Sequence, residues 1–279
     1  QRILEMYENI EIPAPAEGEW SKHIGKDITD PKADSSAAFA QFSTEYVKNT
    51  RKHYYAAVTF IDEQVGRIVK ALKEKGMYDN TIICFTSDHG DMMGDHHSWR
   101  KTYAYEGSAA IPMIIKTPKD VEGVHCRGKV IENPVELRDI LPTFLDAAGG
   151  ETPEAMDGRS MLKLIKEENP QWRRWIDMEH ATCYSEENYW CALTDGKIKY
   201  IWFLRTGEEQ LFDLVKDPHE TVNQITNRKY RKQTDELRRA MAEHLSERGD
   251  KWVKDGQLQK REKTLLYSPN YPSGLSTKK

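Results

Sequence analysis

The sequence predicts an α/β protein over residues 1–168, followed by a small α+β subdomain with an antiparallel sheet over residues 169–279. Three observations carry this. Ile82 to Phe85 and Ile111 to Thr117 are short, nearly continuous apolar runs, the pattern of strands buried on both faces in a parallel sheet. Between Tyr54 and Leu72, apolar residues recur three and four apart, the period of an amphipathic helix. From about Trp172 onward, short aromatic and β-branched segments alternate with Asp-Gly and Thr-Gly turns, the texture of hairpins.

Taken in order, residues 1 to 34 carry Pro13, Pro15 and Pro31 with little periodicity and read as an irregular surface segment. Ser35-Ser36 reads as the cap of a short helix to about Lys48. A longer helix then presents Tyr54, Val58, Ile61, Val65, Ile68 and Leu72 as one stripe, which predicts core packing, and ends at Lys73, Lys75 and Gly76. Met77 to Asn80 turns into the first strand. Pro112 sets the first residues of the second run outside the hydrogen-bonded ladder. Val130 to Glu132 is a candidate short strand. Asp139 is the expected cap of a helix to Ala148, and Asp157-Gly-Arg-Ser160 leads into another helix through Ile165.

In the second part, Trp175–Glu179, Tyr189–Thr194, Lys197–Phe203 and Gln210–Asp213 read as strands joined at Asp195-Gly196 and Thr206-Gly207. Lys229 to Arg248 is an amphipathic helix with Tyr230, Leu237, Met241 and Leu245 inward, and a polar tail follows from Asp250.

The 279 residues carry a net charge of −4, which gives no bulk electrostatic case for nucleic acid or an anionic membrane. No apolar run is long enough for a membrane span. The four cysteines show no zinc spacing; Cys84 reads as a small buried hydrophobe, and Cys183 and Cys191 are placed so that a bridge across a hairpin stays open.

The first apolar run ends in Asp88-His89-Gly90, followed by Asp91, Asp95, His96 and His97. Three carboxylates and three imidazoles just past a core strand are costly to leave unpaired, and α/β sheets build their chemistry at such strand ends. Gly90 lets the chain turn tightly enough for Asp88 and His89 to face one centre. A metal site is the reading favoured. On residue type, zinc or iron suits a His/Asp pair, whereas calcium or magnesium suits a carboxylate-rich shell.

Thr86-Ser-Asp-His-Gly-Asp-Met-Met-Gly-Asp-His96, then Trp99-Arg-Lys101, Tyr105-Glu-Gly107 and Ile111-Pro-Met-Ile-Ile115, resembles the second half of a type I, formylglycine-dependent sulfatase of the alkaline phosphatase superfamily. The resemblance continues through Pro134 to Gly149, Asp157-Gly-Arg-Ser160, and Gln210 to Glu220 with Asn223. It implies that residues 1–168 form part of an alkaline-phosphatase-like mixed sheet flanked by helices. It implies that Asp88 and His89 ligate a divalent cation, usually calcium (Mg2+ being an alternative), and that Lys101 contacts the sulfate and the ester oxygen. His97, Trp99 and Arg100, lying between them, are the candidate pocket rim, Trp99 for stacking on a sugar and Arg100 for pairing with a carboxylate or second sulfate.

The family's nucleophile is a formylglycine made from Cys or Ser in Cys/Ser-x-Pro-x-Arg, and no cysteine or serine here has that context. The family's paired Asp ligands also have no counterpart before Asp88. The expectation is therefore a fragment, or one chain of a processed enzyme, that binds calcium weakly alone and is completed by an amino-terminal half. The implied activity is hydrolysis of a sulfate ester, on a sulfated small molecule or glycan, in a periplasmic, secreted or lysosome-like setting. Phosphonate or phosphate ester hydrolysis within the same superfamily, and a non-catalytic scaffold, are the rival readings.

Overall fold

The computed structural model describes residues 1–262 except positions 33, 35, 36, 122, 125, 182, 184 and 186. The helix start expected at Ser35-Ser36 lies outside the described residues, as do Tyr267 and Tyr271 of the tail.

After a single helical turn, α1 (Arg2–Glu5), the chain runs irregularly to one long helix, α2 (Thr44–Glu74). Among the described residues, the short helix expected from Ser35-Ser36 to about Lys48 does not form before Thr44, and its last residues belong to the long helix. Ser43 caps it by accepting from the Tyr46 amide at 3.3 Å, and no Gly or Pro interrupts its first turns. Its apolar stripe does not pack as expected. Val58, Ile61 and Ile68 are each more than half exposed, Ile68 at 61%. Val47 and Ala56 are the apolar residues it buries. Helical period fixes which residues share a face, but whether that face is covered depends on elements elsewhere in the chain.

The two apolar runs form β1 (Ile83–Thr86) and β2 (Met113–Lys116), joined by a loop and the short helix α3 (Glu106–Ala109). They pair antiparallel, Cys84 opposite Ile115 and Phe85 opposite Ile114, so the parallel expectation is corrected. An apolar run reports burial and carries no information on strand direction. Nor are both faces buried: Phe85 is exposed, and Ile114 is 60% exposed. Pro112 does stand outside the ladder. Val130 to Glu132 forms no strand, and Val130 is exposed.

α4 (Ile140–Ala147) and α5 (Leu162–Lys166) follow. Asp139 does not cap α4 with its side chain. It is fully buried, accepting two bonds of 2.6 Å from Arg173 and one of 2.8 Å from the Arg159 amide. Gly158 is required beside it, because a Cβ there would stand 1.8 Å from the Arg138 carbonyl oxygen.

The second part matches its prediction closely. β3 (Ile176–His180), β4 (Trp190–Thr194), β5 (Ile198–Phe203) and β6 (Glu209–Asp213) form an antiparallel meander in that order. α6 (Arg231–Ser246) lies against one face, with Leu237, Met241 and Leu245 meeting Cys191, Leu193, Tyr200 and Leu211. Alternate residues of the same strands, Trp190, Ala192, Ile201 and Phe212, face the other way, as a period of two requires. Their cover is Met92 and Tyr103 to Tyr105, from the loop that follows β1. This sheet is therefore the floor of the loop carrying the Asp-His pair. β7 (Val253–Lys254) and β8 (Gln257–Leu258) close the described chain, and all four cysteines are free, so no Cys183–Cys191 bridge forms.

Candidate active site

The loop from Ser87 to Thr102 is bent by an unusual density of left-handed backbone. Met93, His96, His97, Arg100 and Thr102 all have positive φ, as does Gly94. Such residues persist only where surroundings over-determine them, and they concentrate at functional sites. The constraints here are visible. The Asp91 carboxylate accepts from the Met93 amide at 2.9 Å and the Arg100 amide at 3.1 Å. Asp95 accepts from the Ala16 amide at 2.8 Å and pairs with the Arg51 guanidinium. Arg51 is buried on α2 and also donates to the Met93, Pro13 and Ala14 carbonyls.

Of the clustered carboxylates and imidazoles, the structure brings together Asp88 and His89, and adds Lys101. His89 Nε2 lies 3.4 Å from Asp88 Oδ2 and 2.9 Å from Lys101 Nζ. His89 Nδ1 is 2.7 Å from the Gly90 carbonyl oxygen. An ammonium only donates and a carbonyl only accepts, so these partners assign the proton to Nδ1 and the lone pair to Nε2. That is the arrangement of a metal-ligating imidazole, whose outer N–H is held by a backbone carbonyl. Asp88 and Lys101 are exposed and His89 half-buried, so all three reach solvent at one point.

The donor set tests what this point can hold. A carboxylate oxygen and an imidazole lone pair converge there, which suits one side of a divalent cation. Calcium takes about six to eight ligands. Among the described residues, no group of three or more His, Cys, Asp or Glu side chains gathers for one cation. The pair fits part of a shell, not a whole one.

The remaining sequence candidates lie elsewhere. Trp99 is buried, its Nε1 donating to the Ala40 carbonyl at 3.1 Å and its ring packed on Phe42 and Tyr46. It anchors the loop and has no free face for a sugar, which corrects the stacking expectation. His97 turns toward Glu17, with Nε2 3.9 Å from Oε2. His96 is buried against Trp20 and Tyr105, at ring separations of 4.6 and 5.5 Å. Burial holds its pKa below the ordinary value, against the opposing pull of Asp95. Arg100 is exposed beside Lys101 and stays available to a ligand.

A model of the sulfatase family matches residues 21–150, and one described as N-sulphoglucosamine sulphohydrolase, C-terminal, matches residues 94–247. The chain belongs to the sulfatase family. It is 38% identical over 263 residues to an arylsulfatase of Clostridium perfringens, covering 92% of this chain and 52% of that one. It is 28% identical over 272 residues to an N-acetylglucosamine-6-O-sulfatase of Bacteroides thetaiotaomicron, covering 95% and 46%. Among solved structures, a phosphonate monoester hydrolase from Silicibacter pomeroyi superposes with a TM-score of 0.69 at 28% identity, covering 88% and 52%. The fold is thus that of the alkaline phosphatase superfamily, and the chain spans about half the length of the curated relatives it matches.

Sequence reasoning missed how this sulfatase chain supports its loop. Arg51 gave no signal, being one cation among many on a polar helix. Lys199 and Glu220, both fully buried, lie 98 and 119 residues from Lys101, and nothing in the reading of the Lys197–Phe203 strand or of the Gln210–Glu220 motif joined them to the site.

Proposed function

We propose that this chain is the carboxyl-terminal part of a sulfuric ester hydrolase acting on a carbohydrate sulfate. The placing of Asp88 Oδ2 and Lys101 Nζ at 3.4 and 2.9 Å from His89 Nε2 carries the reading, together with family membership. Asp88 and His89 would hold a divalent cation, for which calcium is the expectation, alongside ligands from a preceding part of the protein. When bound, that cation withdraws charge from the sulfate oxygens and lowers the repulsion met by an incoming nucleophile. The Lys101 ammonium donates to the sulfate and the ester oxygen, stabilising charge as the S–O bond to the alcohol breaks. The Nδ1–H bond to Gly90 leaves the His89 lone pair on Nε2, the atom that would ligate the cation. The nucleophile, for which family resemblance implies formylglycine, belongs to an amino-terminal half outside these 279 residues. The sugar assignment is supported by the names of the matching family model and of the glucosamine sulfatase relative.

The likeness to a phosphonate monoester hydrolase supports a second reading, phosphonate or phosphate ester hydrolysis at the same centre. The test compares sulfate and phosphonate monoesters as substrates of the full-length protein, with and without Lys101→Ala. The expected result is preferential sulfate ester hydrolysis, reduced about a hundredfold or more in the variant. Preference for the phosphonate would move the assignment to the second reading. A full-length protein that neither binds calcium nor turns over either ester would mark a non-catalytic scaffold.

A further inference from the structure

Lys199, the second residue of β5, is fully buried, where a cation is expensive unless paired. Its Nζ donates to Glu220 Oε1 at 2.8 Å and to Glu106 Oε1 at 2.6 Å. Glu220 is itself 1% exposed, and its other oxygen, Oε2, accepts from the backbone amide of Glu106 at 2.6 Å. Both carboxylate oxygens of Glu220 are thus committed, one to the sheet and one to the first residue of α3.

The turn that presents Glu220 is built for the purpose. Asp217 accepts from the Val222 amide at 2.8 Å and the Thr221 hydroxyl at 3.0 Å, while Glu220 adopts a left-handed φ of 56°. The carbonyls of the same turn hold two more pieces of the loop's surroundings. That of Glu220 accepts from Trp20 Nε1 at 2.9 Å, and that of His219 lies 3.0 Å from His96 Nε2.

From α3 the linkage runs directly to the site. The Gly90 amide donates to the Ser108 carbonyl at 2.9 Å. A Cβ on Gly90 would stand 2.2 Å from the Gly107 carbonyl oxygen, so the two backbones are in contact. Gly90 is also the acceptor that fixes the His89 ring.

We infer that the buried Lys199 and Glu220, with the half-buried Glu106, form a positioning clamp that holds the Asp88–His89–Lys101 loop in place on the carboxyl-terminal sheet. The clamp rests on the proposed role of that loop as the cation and sulfate site. None of the three touches substrate or cation. They act through the backbone of α3, by fixing where Gly90, and with it His89, sits. The Asp-Pro-His-Glu segment at 217–220 is then the part of the carboxyl-terminal subdomain that reports its folding to the site.

Amide hydrogen exchange on the full-length protein, with no calcium or substrate added, tests the clamp. In Glu220→Gln, the amides of Gly90 and of α3 should exchange at least tenfold faster, while those of Leu237 to Leu245 in α6 change less than threefold. Unchanged exchange at Gly90, or equal loosening of α6, would overturn the inference. If Glu220→Gln fails to fold, Glu106→Pro replaces the test. Proline is tolerated at a first helical position and deletes the N–H that Glu220 accepts. It should loosen Gly90 by a similar factor, and a Gly90 unmoved in that variant overturns the clamp. Calcium titration of the full-length protein separates this inference from the functional reading. Weaker calcium binding in Glu220→Gln by tenfold or more, with a smaller loss in the charge-keeping Glu220→Asp, supports positioning. Faster Gly90 exchange with no calcium binding even in the parent would leave the clamp standing and remove the cation site.

Discussion

The four-stranded sheet and α6 form a closed core, whereas α2, β1–β2 and α4 leave much of their apolar surface open. In the first region Tyr200, Leu211 and Met241 are wholly buried. In the second Ile68, Ile114 and Leu141 are each more than half exposed, Leu141 at 57%. Both regions have strong apolar patterning, so composition does not separate them. What separates them is whether every element that would cover a face lies within this chain. A subdomain whose strands and helix are consecutive in sequence closes on itself. α2, β1 and β2 find no such cover among the described residues, in a chain that spans about half the length of its curated relatives, and open apolar patches of this kind mark interaction surfaces. The site loop stands between the two, its back on the closed sheet and its functional groups at solvent.

The largest expected effect lies at the seam between the regions. Arg173→Met would strand the buried Asp139 carboxylate that it now pairs with, at a cost of about 3–5 kcal/mol in denaturant unfolding. A loss under 1 kcal/mol would mean that Asp139 is solvated and the seam looser than described.

Next, Met241→Ala in the closed core should cost about 2–5 kcal/mol, while Ile61→Ala on the open stripe of α2 should change stability by no more than about 0.5 kcal/mol. Equal costs would erase the distinction drawn here. The same pair measured in the full-length protein should become more alike, as Ile61 gains cover.

A smaller effect is pH-dependent and confined to the closed region. Burial raises the Asp213 carboxyl, but bonds from Lys216 and Tyr230 outweigh it and bring the pKa down to about 2. A depressed folded pKa means the unfolded chain binds the proton more readily. The contribution is therefore complete above the ordinary carboxylate range and is lost as pH falls from about 4 toward 2. Asp213→Asn should flatten that part of the stability profile, and an unchanged slope would assign it to other carboxylates.

The smallest is chemical. Burial, with Glu179 nearby, pushes the Cys191 thiol up to about 12. In the native chain Cys191 should be the slowest of the four cysteines to alkylate at pH 8, with Cys126 and Cys183 faster. Peptide mass mapping of the labelled protein reads this directly.

The same division explains how much was legible in advance. β3 to β6 and α6 were readable nearly to the residue, because their partners are neighbours in sequence and period-two alternation fixes both faces. Asp88 and His89 were singled out from one contiguous stretch and Lys101 from the family resemblance, and the structure sets the three side by side. The direction of β2 was not, because a short apolar run such as Met113 to Ile115 carries no information on strand direction. The exposure of Val58 and Ile61 was not, because a stripe does not say what covers it. Trp99 looked like a rim residue until its indole was seen to hydrogen-bond Ala40 inside the fold. Arg51–Asp95 and Lys199–Glu220–Glu106 join positions far apart, and a single sequence holds no trace of such pairings.

The most direct test of the account is calcium titration by calorimetry, on the 279-residue chain alone and on the full-length protein, each with and without Asp88→Asn. The account predicts weak binding by the chain, at least a hundredfold tighter binding by the whole protein, and loss of both in the variant. Equal affinity in the two, or binding that survives Asp88→Asn, would contradict a cation site that this chain supplies only in part.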